Sequence, residues 1–207
     1  MNHMRKLLVL AFFMGFSSFY SAHAQKIYKT FEMDKFTPFQ DSLRRQYRCS
    51  VSPEGSDLEL AALIALNYYP ELKDSRFKIK HKENVRHPIT ASYSFWNVFK
   101  SRKRHTYILL IKKGSFVDRI DLNGKVGIIA HEMAHFAYYR NRPTVGMLPW
   151  GFRYVTSKKF RYSFERDADK TVINRGLGWQ LLEIAFYHKP EEIRSYMNAM
   201  EQYRSVE

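Results

Sequence analysis

His131 and His135 stand four residues apart in the run Ile128-Ile129-Ala130-His131-Glu132-Met133-Ala134-His135. On an α-helix that spacing stacks both imidazoles on one face, close enough to share one ion. Glu132 follows the first histidine directly, where a carboxylate can reach a water held by the metal. Zinc lowers the pKa of such a water, and the carboxylate can take its proton and pass it on. The surrounding residues are apolar or aromatic, as in a buried helix beneath a cleft. The competing reading is a core helix whose histidines are merely buried, but three polar groups on an apolar helix need partners.

A catalytic zinc takes three protein ligands and keeps a fourth position open. The best third candidate lies downstream, in Phe164-Glu165-Arg166-Asp167-Ala168-Asp169. Glu165 and Asp169 also share a helix face. Glu165 can bind the metal while Asp169 receives the outer N–H of a ligand histidine, which fixes the tautomer and the ring orientation. An ordinary acidic turn on a solvated helix is the alternative.

His131-Glu132-x-x-His135 followed by Glu165-x-x-Ala168-Asp169 resembles the gluzincin pattern. It is similar to the peptidase family that includes the CAAX prenyl proteases and their soluble bacterial relatives. The resemblance covers about residues 105 to 188. It implies a zinc endopeptidase with His131, His135 and Glu165 as ligands, Glu132 as general base and acid, and Asp169 as the orienting carboxylate. The implied cofactor is one Zn2+ per chain, and the implied substrate is a peptide or protein. The family also uses a later His or Arg to steady an oxyanion. Tyr162, Arg175 and His188 are the positions open to that role here, and each also reads as structural or surface.

Elements must position these groups. Asp121-Leu122-Asn123-Gly124 suits the start of the histidine-bearing helix, and Arg140-Asn141-Arg142-Pro143 suits its end. Ser56-Asp57 can cap a helix over Leu58 to Tyr69, with Pro70 ending it. Residues 34 to 48 mix apolar and basic positions and suit a short helix. Strands are predicted at 76–80, which alternates, at 90–98, and at 105–112, the richest in Ile, Leu and Tyr. By the resemblance, the 105–112 strand borders the cleft and offers its edge to an extended peptide; a central core strand is the alternative. Residues 146 to 163 read as an aromatic and basic connection, either a substrate wall or a loop packed for stability. Helices are expected from Glu165 to Asn174, from Trp179 to Tyr187, and after Pro190, with a stop at Arg175-Gly176-Leu177-Gly178. The fold expected is α+β: a single zincin-like domain over 25–207, a small mixed or antiparallel sheet on the active-site helix, and a helical C-terminal part.

The N-terminus reads as a leader. Arg5-Lys6 precede an apolar run from Leu7 to Phe16, too short to span a bilayer. Ser21-Ala22-His23-Ala24 offers small residues for a cut before Gln25, so residues 1–24 read as a signal peptide, with an uncleaved N-terminal anchor as the alternative. That predicts a secreted or periplasmic protein with no integral membrane span after cleavage. The 207 residues carry 34 Lys and Arg against 20 acids, a formal charge of +14. Such a surface favours polyanions of the cell envelope or acidic substrates, while export argues against nucleic acid. Cys49 is the lone cysteine. It can form no internal disulfide, so packing must stabilise the fold, with a bound metal as an optional further source. Two rival functions stand beside the peptidase: a non-catalytic zinc-binding envelope module, and an amidase acting on cell-wall peptides.

Overall fold

Alternation of apolar and polar residues builds a four-stranded sheet. In a strand, successive side chains point to opposite faces. β1 (Arg48–Ser52), β2 (Arg76–Lys82), β3 (Ile89–Tyr93) and β4 (Thr106–Lys112) lie in the order β1-β2-β4-β3. β1 and β4 flank β2 in parallel, and β3 pairs antiparallel with β4. Val51, Phe77, Ile79, Tyr107, Leu109 and Ile111 supply the buried face. The computed structural model describes residues 30–52, 56–93, 97, 101, 105–142, 147–188 and 197–198. The leader read at 1–24 and the helix expected after Pro190 lie outside them, as does most of 94–98.

The sheet is mixed and the class is α+β, as expected. The place of the 105–112 strand differs from what the resemblance implied and follows the alternative, a central strand. β4 is not the edge that borders the cleft; it is paired on both sides, by β2 and β3. The sequence placed strand content well, but neighbour order depends on non-local pairing that no local pattern carries. The helix expected at 34–48 is found over 33–46, as the short helical turns Met33–Phe36 and Thr37–Phe39 and helix α1 (Gln40–Gln46), and β1, for which no strand was expected, follows it. Tyr47 then turns to extended backbone and leads into the strand. Within β1, burial, with the Glu59 charge second, pushes the Cys49 thiol up to about 12. It is therefore a packed thiol at neutral pH, not a thiolate nucleophile.

Helices cover the buried face. Ser56 accepts the Glu59 N–H and starts α2 (Asp57–Asn67), whose Leu60 to Leu66 segment is almost wholly buried. Asp121 accepts the Gly124 N–H at 2.8 Å and starts α3 (Leu122–Arg140). This cap satisfies one of the orphan donors of the first turn. α3 runs through the centre of the fold and packs against α2, α5 and α6. Its Phe136 ring lies 4.5 Å from Tyr107 and 6.0 Å from Phe77, tying the helix to the sheet. Even its Lys125 is buried, with Nζ donating to Asp57 at 2.6 Å and to the Ile120 carbonyl at 2.7 Å.

The connection expected at 146–163 is helical instead. α4 (Met147–Thr156) and α5 (Lys158–Val172) form a hairpin, with Ser157 accepting the Phe160 N–H. The segment's glycine, aromatic and basic content suggested a connection, but Pro149 falls in the first turn of α4, where proline is tolerated because its missing N–H has no intrahelical partner. α5 gives way to α6 (Gly178–His188) across Ile173–Leu177, where Gly176 takes φ 80. That is the stop predicted for Arg175 to Gly178, and the left-handed backbone there suits glycine. No helix among the described residues is long and apolar enough to cross a membrane.

One contact at the start of α3 makes stability depend on pH. Burial first, and then the hydrogen bond and charge of Asp121, push the Glu183 carboxyl up to about 7. The folded protein therefore holds a proton on Glu183 between pH 4.5 and about 7 that the unfolded chain has released. The stabilisation is complete below that window and is lost as pH rises through it. Glu183→Gln is expected to stabilise the protein at pH 8 by about 1 kcal/mol, after discounting for solvent screening at a partly exposed site. The gain should shrink as pH falls toward 4.5. Melting curves of both proteins at pH 5 and pH 8 check this, and an equal difference at the two values would refute it.

Candidate metal centre

α3 and α5 cross so that their polar residues meet. His131 and His135 project from one face of α3, as their spacing requires. Glu165 projects from α5 toward them. His131 Nε2 lies 3.1 Å from His135 Nε2 and 3.1 Å from Glu165 Oε2, and His135 Nε2 lies 3.2 Å from the same oxygen. The three atoms form a near-equilateral triangle. Bonds of about 2.0–2.1 Å to a tetrahedral ion place ligand atoms roughly 3.3–3.4 Å apart. The observed triangle is within a few tenths of an ångström of that size. The donor set of two imidazoles and one carboxylate can therefore hold a metal ion.

The surrounding groups prepare each ligand. Asp169, one turn beyond Glu165, is buried and faces His131 Nδ1 at 2.8 Å. A proton held on Nδ1 leaves the Nε2 lone pair directed at the triangle. Tyr154 donates its hydroxyl to Glu165 Oε1 at 2.8 Å, which leaves Oε2 for the histidines. Burial and the adjacent Glu165 raise the Tyr154 phenol, so it remains a donor. The His135 ring stacks on Phe164 at 4.5 Å and an interplanar angle of 23°. Its Nδ1 is buried and meets no acceptor among the described residues.

Electrostatics favour a cation within the triangle. Burial opposes a charge on His131, but hydrogen bonds to Asp169 and Glu165 outweigh it and push the imidazole up to about 10. Burial likewise opposes the Glu165 carboxylate, and bonds from both histidines hold it well below the usual carboxylate range. A proton or a metal ion would answer the same demand.

Glu132, one residue after His131, lies beside the ligand row and lines the same cleft. It is buried, and burial is the first cause of its raised pKa, partly opposed by the two histidines. Its carboxylate accepts a hydrogen bond from the Ala91 backbone on β3. β3 is thus the strand at the site: Ile89, Thr90 and Ala91 line a cleft of about 580 Å³, together with His131, Glu132, His135 and Glu165. The opposite wall comes from α4 to α6, with Trp150, Tyr154, Arg161, Leu181 and Ile184.

All five residues singled out from the sequence meet here: Glu132, His131, His135, Glu165 and Asp169. Of the three positions open to an oxyanion role, Arg175 and Tyr162 do not. Arg175 is tied to Glu71 and to the Tyr68 carbonyl, and lies 4.1 Å above the Tyr69 ring. Tyr162 is 56% exposed and does not line the cleft. The His188 side chain lies outside the description. Sequence reading missed the bond from Tyr154 to Glu165. The available signal was the i, i+4 pair of Trp150 and Tyr154, which puts both rings on one helix face once the segment is recognised as helical. No family model matches this chain, and neither does any curated protein or solved structure.

Proposed function

We propose that this chain is a zinc-dependent peptidase of gluzincin type. The observation that carries the reading is the meeting of His131 Nε2, His135 Nε2 and Glu165 Oε2 within 3.2 Å in a cleft that Glu132 also lines. Zinc bound there would supply a Lewis acid able to polarise a peptide carbonyl and acidify a water. The protein's own groups do the rest. Glu132 takes a proton from the attacking water and returns it to the departing amine, a shuttle suited to a buried carboxylate with a raised pKa. Asp169 keeps His131 in the tautomer that leaves Nε2 free, and Tyr154 keeps Glu165 turned toward the histidines. β3, paired on one side only among the described residues, gives an extended peptide a backbone edge beside Glu132. The leader-like pattern at residues 1–24 supports work outside the cytoplasm.

Metal content tests the reading. The purified chain is expected to hold one zinc by elemental analysis. Glu165→Ala should lower the occupancy under limiting zinc to less than about a tenth, because a three-ligand site loses one of its ligands. A wild-type chain that takes up no zinc at neutral pH would end the proposal.

A further inference from the structure

We propose that the outward face of the sheet is a second binding surface, for an extended phosphodiester polyanion that carries no bases. The surface lies on the face opposite the buried one and uses none of the residues of the metal centre. Its charges are arranged by register. Arg76, Lys78, Lys80 and Lys82 alternate along β2 and are all exposed. Arg48 on β1 pairs with Arg76, and Lys112 on β4 pairs with Lys82; both are exposed as well. The four strands contain no acidic residue. Among the described residues, none of these six cations has a side-chain hydrogen bond or ion pair.

Such a face has an energetic penalty within the fold. Like charges on directly paired residues of neighbouring strands, about 4.8 Å apart, destabilise a sheet. Lysines do serve to guard open sheet edges. That does not account for β2, which lies inside the sheet between β1 and β4. An anionic ligand would relieve the repulsion.

The spacing selects the ligand. Alternate residues of a strand are about 6.6 Å apart, a repeat of six backbone bonds. A polymer of phosphodiesters joined through three carbons also repeats every six bonds, so extended phosphates can follow the β2 row in step. Nucleic acid shares that repeat, but single-stranded binding also uses aromatic platforms for the bases. The described aromatic side chains of the strands, Phe77 and Tyr107, are buried on the opposite face. A base-free chain such as poly(glycerol phosphate) therefore fits better.

Fluorescence anisotropy of the full chain with labelled poly(glycerol phosphate) tests this, beside oligo(dT) of equal charge. Lys78→Gln/Lys80→Gln is expected to weaken binding of the glycerol polymer at least tenfold. It should also reduce the salt slope by roughly 1.4, the counterion release of two phosphate contacts. Lys158→Gln/Lys159→Gln, an equal change of charge on α5, should alter affinity less than twofold. Equal melting temperatures of the variants establish that they fold. The proposal is overturned if wild type fails to bind at low salt, if both double variants lose affinity alike, if neither loses it, or if oligo(dT) binds more tightly than the glycerol polymer.

Discussion

Glu132→Gln is expected to lower peptide hydrolysis by about 10³-fold or more while leaving zinc content unchanged. The amide keeps the shape of the side chain and can still accept the Ala91 N–H through its oxygen, so the backbone contact to β3 survives. What it loses is the ability to take a proton. Among the described residues, the other carboxylates at the cleft are committed: Glu165 to the histidines and Tyr154, and Asp169 to His131. Kinetics on an unstructured protein substrate, with elemental analysis of both proteins, read the two effects separately. Hydrolysis retained within tenfold would remove Glu132 from the mechanism. A zinc-loaded wild type without hydrolysis of proteins or wall peptides would favour the non-catalytic module instead.

The parts of the site that were legible in the sequence are those that depend on one turn of helix. His131 and His135, and Glu165 and Asp169, are each four residues apart, and α3 and α5 preserve both spacings as shared faces. Asp121 and Ser56 were legible as caps for the same local reason. What was hidden depends on pairing between distant segments. Strand content at 76–82 and 106–112 was visible, but not that β3 would take the edge and bring Ala91 to Glu132. β1 was hidden because Arg-Cys-Ser-Val-Ser is short and offers a single strongly apolar residue. The α4–α5 hairpin was hidden because a glycine-containing segment of mixed aromatic and basic residues reads as a connection. Tyr154 could be given no partner until that hairpin brought it back over Glu165.

Gly127→Ala is expected to destabilise the fold by about 2 kcal/mol or more, although alanine is the better helix former by about 1 kcal/mol. A Cβ at residue 127 would lie 2.1 Å from the Gln180 carbonyl oxygen and 2.4 Å from its carbon. These are backbone atoms of α6, so the helix as a whole must retreat by about 1 Å to reach normal contact. The glycine is what permits α3 and α6 to touch. At this chain length, that loss should lower the melting temperature by about 4–8 °C. Two other helical glycines provide the contrast. At Gly124 an added Cβ meets only the Ile120 side chain, the closest atom at 3.2 Å, which can give way. At Gly151 it meets nothing within 4 Å, so Gly151→Ala should be neutral or stabilising by about 0.5–1 kcal/mol. The effect at Gly127 should also reach the metal centre, because Leu181 and Ile184 of α6 line the same cleft as His131. Calorimetry of the three variants measures the ranking. A Gly127→Ala protein that melts with or above wild type would show that α6 does not lie against α3 at this distance, and the wall it gives the cleft would have to be redrawn.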